Sequence, residues 1–272
     1  MKGPELLQAH AGRLKSRMGA CFPGTRAVFR GHDLHAELRD MDWIELYVFG
    51  ITGRRHSPDE LTLLHALWVH TSYPDARLWN NRTAALAATA GSTPTLGLSA
   101  ALAVSEAVIY GGHPFVRAID FLIRARKRVD AGEAPDDVVG NELAARRIYG
   151  YGRPINSVDE RLPWLRGLAG ELALDHGRHL ALALEVDRIL SARRKPLRMN
   201  YAALAAALAA DLGMSPAEFH LFVFPAFLAG MPPCFIEAAQ RREGTLFPLA
   251  CADVRYEGVP GRAWRHSGEN DR

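Results

Sequence analysis

Strand-forming stretches are scarce in this 272-residue sequence, and so are the residues that staple or ligate. Its three cysteines, Cys21, Cys234 and Cys251, are odd in number, far apart and in no CxxC pair. That spacing suggests neither a disulfide framework nor a zinc site, so reduced thiols in a cytoplasm are expected and no metal ligands are assigned. Apolar runs are short: the longest, such as Tyr201–Ala210, are alanine-rich and below membrane-spanning length, so no membrane partner is expected. The opening MKGPELLQAHAGRLKSRMG carries bases and an amphipathic pattern but no apolar h-region, which excludes a secretory signal reading. Charge of one sign is lacking too. Lys+Arg number 33 against 30 Asp+Glu, a formal net charge of +3. So small an excess permits an anionic ligand without requiring nucleic acid, and Arg124, Arg126, Lys127 and Arg128 read as a solvated helix face.

What is present is helix. A 48% hydrophobic and 23% charged composition supplies a core and is too apolar for disorder. Ser57-Pro58-Asp59-Glu60 has the form of a capping box ahead of the apolar run Leu61–Val69, and Ser215-Pro216-Ala217-Glu218 repeats it before Phe219–Leu228. Thr93-Pro94 predicts the start of a helix through Leu98–Ile109, and Pro135-Asp136-Asp137 one that ends near Gly150. Val186, Ile189 and Leu190 share a helical face, as do Leu204, Leu208 and Leu212. The alanine run Ala202–Ala210 reads as a buried helix whose small side chains admit close neighbours. Only Arg26–Arg30 and Ala252–Tyr256 look extended. The expectation is an all-α chain: a helical extension over 1–25, one multi-helical domain over 26–258 with a small lobe at roughly 114–212, and a polar tail over 259–272.

Several segments fall in a telling order. Arg30-Gly31-His32-Asp33-Leu34 is followed by Asp42-Trp43-Ile44-Glu45, then by Asn80 to Thr93, NNRTAALAATAGST. Next come Ile109-Tyr110-Gly111-Gly112-His113, then Tyr149-Gly150-Tyr151-Gly152-Arg153-Pro154 with Asp159-Glu160-Arg161 close behind, and finally Asn200-Tyr201-Ala202 opening the alanine run. In order and spacing the chain resembles the citrate synthase and citryl-CoA lyase family, in a short form nearer the length of a citryl-CoA lyase domain. The resemblance covers about residues 26–258, and the missing material lies mainly between Leu61 and Asn81.

The resemblance implies roles. The family's His-Gly-Gly loop, which polarises a thioester carbonyl, falls on Tyr110 if the glycines are paired and on His113 if residues are counted from Ser92-Thr93. The family's Gly-Phe-Gly-His loop, which wraps CoA, falls on Gly150, Tyr151, Gly152 and Arg153. Its carboxylate-gripping arginine falls on Arg161, while Arg77, Asn81 and Arg82 lie where further substrate contacts are expected. Phe227 and Leu249 stand near two more of the family's arginine positions. The catalytic aspartate position is Ala202, which has nothing to abstract a proton with, and arginine at 153 keeps its proton at neutral pH. The acid–base scheme of the family therefore cannot run here unchanged. The resemblance implies a homodimer, with the Ala202–Ala210 helix and the helix from Thr93 as candidate seams. It also implies a CoA thioester or small carboxylate as ligand, with no cofactor held permanently. Two readings stand: an enzyme acting through an enolate with altered residues, or a relative that binds such ligands without reacting them.

Overall fold

Proline and a capping side chain start many of the helices. A computed structural model describes residues 3–12, 15–153, 158–245, 249–259 and 261. In chain order it contains α1 (Pro4–His10), the strands β1 (Gly19–Phe22), β2 (Arg26–Phe29) and β3 (His32–Asp33), and then α2 (Trp43–Thr52) and α3 (Pro58–Thr71). There follow α4 (Trp79–Thr89), α5 (Pro94–Val104), α6 (His113–Asp130), α7 (Pro135–Ala145) and α8 (Arg161–Glu171). The last helices are α9 (Arg178–Ala192), α10 (Tyr201–Asp211), α11 (Pro216–Val223) and, after a 3-10 turn over Phe224–Gly230, α12 (Met231–Ala239). Ser57 and Ser215 each accept the N–H three residues on while Glu60 and Glu218 reach back, completing both capping boxes.

Several sequence expectations need correction. Among the described residues the N-terminal segment is helical over Pro4–His10; Gly12 takes a left-handed conformation, and β1 pairs antiparallel with β2, Gly19 opposite Phe29 and Phe22 opposite Arg26. Ala252–Tyr256 is not a strand. Cys251–Asp253 forms an exposed 3-10 turn in which the Asp253 carboxylate accepts the Ala250 N–H. Helix α5 ends at Val104 because the Ser105 carbonyl turns to accept the Gly112 N–H at 2.6 Å. Helix α7 ends at Ala145, where Arg146 becomes extended. Pro154 and all of the 259–272 tail except Val259 and Gly261 lie outside the described residues.

The core forms around α10, whose first ten residues are all buried. It packs against α6, α8 and α9. A Cβ on Gly150 would sit 2.7 Å from the Ala203 Cβ, so the loop before α8 lies directly on α10. Asp211 at the far end of α10 accepts the His179 and Leu180 N–H groups at 2.8 and 2.9 Å, capping α9 from another helix where Gly177 has no side chain to do so. Helices α4, α5 and α12 form a second packed group. Residues Pro216–Ala239 make a 24-residue helical stretch apolar enough by length and composition to cross a membrane, contrary to the reading that no such run exists. Half of it is buried within the fold, where Phe219, Phe222, Met231 and Phe235 fill the core, so its apolarity is used in packing.

Candidate anion-binding site

The end of α3 and the start of α8 enclose a pocket of about 310 Å³, lined by Val69, His70, Ser72, Tyr73, Glu160, Arg161 and Trp164. Its floor is an ion pair. Arg161 donates from Nε and Nη2 to the two Asp159 oxygens, each at 2.8 Å, and Asp159 is 1% exposed. Asp159 also accepts the Tyr201 N–H at 2.9 Å, which ties the pair to the first residue of α10. The guanidinium lies 4.3 Å from the Tyr201 ring centre and 5.4 Å from that of Tyr73, so two aromatic rings and the Asp159 carboxylate together hold it. Although burial opposes it, Arg161 holds the Asp159 carboxyl below the usual carboxylate range. The bonds to Asp159 leave the Nη1 edge of Arg161 out of the pair.

Above that floor the groups are polar and close. Tyr73 donates its O–H to Glu160 at 2.8 Å, and Arg153 donates to the same carboxylate at 3.0 Å and to the Val158 carbonyl at 2.8 Å. His70 presents its ring edge to Tyr201, and its Nδ1 is buried without a hydrogen-bond partner among the described residues. Burial first, and the Arg161 charge second, lower its pKa and favour the neutral imidazole. Val69 and Trp164 stand exposed at the rim.

No family model matches the sequence, and no curated protein matches it. Solved structures do. The chain superposes on citryl-CoA lyase from Hydrogenobacter thermophilus with a TM-score of 0.81 at 21% identity, covering 93% of this chain and 98% of that one. The chain has the citryl-CoA lyase fold. An ATP citrate lyase from Methanosaeta concilii in complex with (3S)-citryl-CoA matches with a TM-score of 0.73 at 18% identity, over 96% of this chain but only 45% of that one. Citrate synthase from Thermotoga maritima matches at 0.65 and 16%, over 86% of this chain and 62% of that one.

On this citryl-CoA lyase fold the sequence-derived candidates separate into groups. Arg161 lines the pocket and pairs with Asp159, and Arg153 reaches its edge by pairing with Glu160. Gly150 and Gly152 both have positive φ, but the close approach they permit is to Ala203 and Leu197. Tyr151 is a correction: its side chain is in the core and its hydroxyl is spent on the Ala183 carbonyl at 2.8 Å, so it has no surface to offer a cofactor. Tyr110 lies at left-handed φ with its exposed ring edge-on to Trp79. Gly111 is required locally, because a Cβ there would be 2.6 Å from the Ala107 carbonyl oxygen. His113 lines a different cavity, of about 290 Å³, with Arg117, Arg146, Arg147 and Tyr149 among its walls. Arg117 donates to His113 Nε2 at 3.2 Å, which makes that nitrogen the acceptor and places the proton of the neutral ring on Nδ1.

The remaining assignments are mostly structural. Arg77 is almost fully exposed and bonds Asp75 through Nε and Nη2. Asn81 is buried and donates to the Tyr73 and Asp75 carbonyls at 2.6 and 3.0 Å, holding the turn that carries Tyr73 rather than facing the pocket. Arg82 is exposed on α4. Phe227 packs in the core against Phe115, and Leu249 is exposed. His70, Tyr73, Glu160 and Trp164 were not chosen as site residues from the sequence. Their signal was proximity: two close the chain around the end of α3, and Glu160 stands inside the Asp-x-Arg motif.

Proposed function

We propose that this chain acts on a CoA thioester or related carbonyl compound, making or breaking a C–C bond through an enolate, with the α3–α8 pocket holding the anionic end of the substrate. One observation carries the reading: a half-buried Arg161, lying against two tyrosine rings and paired with Asp159, in the wall of a pocket that also contains a neutral His70 whose Nδ1 has no partner among the described residues. A guanidinium held against the Tyr201 and Tyr73 rings and on two nitrogens by Asp159 is pre-ordered to give its remaining edge to a ligand oxygen. The similarity to citryl-CoA lyase and to an ATP citrate lyase bound to citryl-CoA supports the substrate class. Tyr110, His113 and the Gly150–Gly152 backbone remain proposals for the CoA end, and no cofactor beyond that thioester is required. The chain acts as a homodimer in the cytoplasm in this reading. Since α10 is enclosed by its own chain it is excluded as the seam, which leaves α5.

The test is calorimetry with citryl-CoA, acetyl-CoA and small dicarboxylates. Arg161→Ala should lose about 2–5 kcal/mol of binding, because it removes a desolvated charge from an anion, and Arg153→Ala less, since that side chain is already engaged by Glu160 and Val158. Unchanged affinity in both variants for every ligand the parent binds would overturn the assignment. CoA release from acetyl-CoA and oxaloacetate should stay at background, because buried Ala202 replaces the base on α10.

The second reading, binding without reaction, is favoured by that same Ala202. It predicts tight ligand binding with no turnover of any thioester tested.

A further inference from the structure

We propose that Glu160 supplies the proton-accepting carboxylate that α10 lacks, with Tyr73 as the residue that positions it. This rests on the enolate reading above and adds the group that would form the enolate.

Among the described residues, Glu160 is the one carboxylate lining the α3–α8 pocket. Asp159, one residue earlier, is unavailable: both its oxygens are bonded to Arg161, one also takes the Tyr201 N–H, and the side chain is fully enclosed. Glu160 is differently placed. Its side chain is 60% exposed, at the open side of the pocket, yet it does not swing freely. The Tyr73 hydroxyl holds one oxygen at 2.8 Å and the Arg153 guanidinium holds the other at 3.0 Å. A carboxylate has about four lone-pair sites, so the Tyr73 and Arg153 bonds together with one from its own backbone N–H still leave a site able to accept a proton. The carboxylate is thus anchored and ionised, and it lies beside Arg161, the group proposed to hold the substrate's anionic end. Tyr73 is itself fixed, because Asn81 holds its carbonyl at 2.6 Å and the Arg161 guanidinium lies over its ring.

The step balances within the site. A Glu160 oxygen takes a proton from the carbon next to the thioester carbonyl, and the C–H electron pair moves into that bond while the carbonyl oxygen becomes the enolate oxygen. The protonated Glu160, whose side chain is 60% exposed, trades that hydrogen with solvent, so in D2O the hydrogen it then returns to the carbon, restoring the thioester and its own carboxylate, is deuterium.

The experiment follows α-hydrogen exchange of acetyl-CoA, propionyl-CoA and succinyl-CoA in D2O by mass spectrometry, with and without malate, alongside calorimetry of the same ligands. In the wild-type protein at least one thioester should bind and exchange. Glu160→Gln keeps the shape and the acceptor for Tyr73, so binding should stay within about threefold while exchange falls about 100-fold, the low end of what a positioned base contributes. Glu160→Asp should recover part of the rate, and Tyr73→Phe should slow exchange while leaving binding in place. A purely structural role for Glu160 would lower the melting temperature and leave the rate per folded molecule intact. Exchange at the wild-type rate in Glu160→Gln overturns the inference, and so does a wild-type protein that binds a thioester but exchanges none. A wild-type protein that binds none of the three overturns the enolate reading as well.

Discussion

Helices α5 and α10 are the same length and both built largely from alanine and leucine, yet they live in opposite environments. PTLGLSAALAV and YAALAAALAAD each run eleven residues and each is rich in alanine and leucine. In α10 only the terminal Asp211 escapes burial, whereas α5 buries only Gly97 and Ala101. Leu96 and Val104 of α5 are exposed, as are Leu86 on the adjoining α4 and Ile236 on α12. Small residues permit close backbone approach, but composition does not say whether the neighbour is the same chain or another copy. The proposed homodimer places a second copy on α5.

The sharpest break of that comparison is one charge placed on each helix. Ala206 has no exposed surface. Ala206→Glu should cost about 4 kcal/mol or more, since nothing there can pair or solvate a carboxylate, and it should abolish a cooperative thermal transition. Leu96→Glu, at a position 66% exposed, should leave the fold intact by circular dichroism and instead reduce the sedimenting mass from dimer to monomer. A Leu96→Glu protein that sediments as the wild type would remove α5 from the seam.

Next in size is the anchor of α10. Asp159→Ala leaves the Arg161 charge without its partner and the Tyr201 N–H without its acceptor, and should lower unfolding free energy in urea by about 3–5 kcal/mol. Arg77→Ala is the surface counterpart. Its pair with Asp75 is open to water on α4's approach, so the same titration should barely move. If the two variants were equally stable, the Asp159 pair would not be the fixed floor described for the pocket.

Much of this was legible in the residues. The capping boxes at Ser57 and Ser215, the helix at Pro94 and the burial of the alanine run follow from local rules that need no tertiary information. The fold resemblance rested on the order of weak motifs and is matched by the superpositions. What could not be read is tertiary. Tyr151 belongs to an aromatic-in-glycine loop whether it faces a ligand or the core, and only the approach of Met199 and Ala183 decides. The Gly111-Gly112 turn is legible as a break between helices, but nothing in its spacing separates the His113 cavity from the Arg161 pocket. His70 and Tyr73 were passed over because their meeting with Arg161 spans about ninety residues of sequence.

The capping residues of the two alanine-rich helices should differ less sharply. Asn200 accepts the Ala202 N–H at 2.9 Å and also donates to the Gly152 carbonyl at 2.6 Å, so it caps α10 and pins the Gly-Tyr-Gly loop together. Thr93 accepts the Leu96 N–H of α5 at 3.4 Å, at an exposed site. Asn200→Ala should cost about 2 kcal/mol, the high end for a cap, and Thr93→Ala about 0.5 kcal/mol, the low end. Thermal melts of both variants at one pH make the measurement, and the reverse ranking would mean that the Gly152 bond contributes nothing.

The smallest expected effect is a pH slope set by His70, which faces Tyr201 at the start of α10 and shares its buried surroundings. The ordinary histidine pKa is about 6.5, and here burial and the Arg161 charge lower it in the folded chain. Between the lowered value and about 6.5 the unfolded chain therefore holds a proton that the folded chain does not. Unfolding takes up that proton, so stability falls as pH drops through this window and is fully restored above it. Below the folded-state value both states are protonated and the loss stops growing. His70→Asn keeps a neutral polar side chain that does not titrate. Urea titrations of the wild-type protein and of this variant, from pH 7.5 down to pH 5, should give a stability difference that shifts in the variant's favour as the pH is lowered. The other histidines are common to both proteins and cancel in that difference. A difference that is flat across the range would mean that the imidazole is protonated as readily in the folded pocket as in the unfolded chain, and the neutral, unpartnered His70 of the proposed site would have to be abandoned.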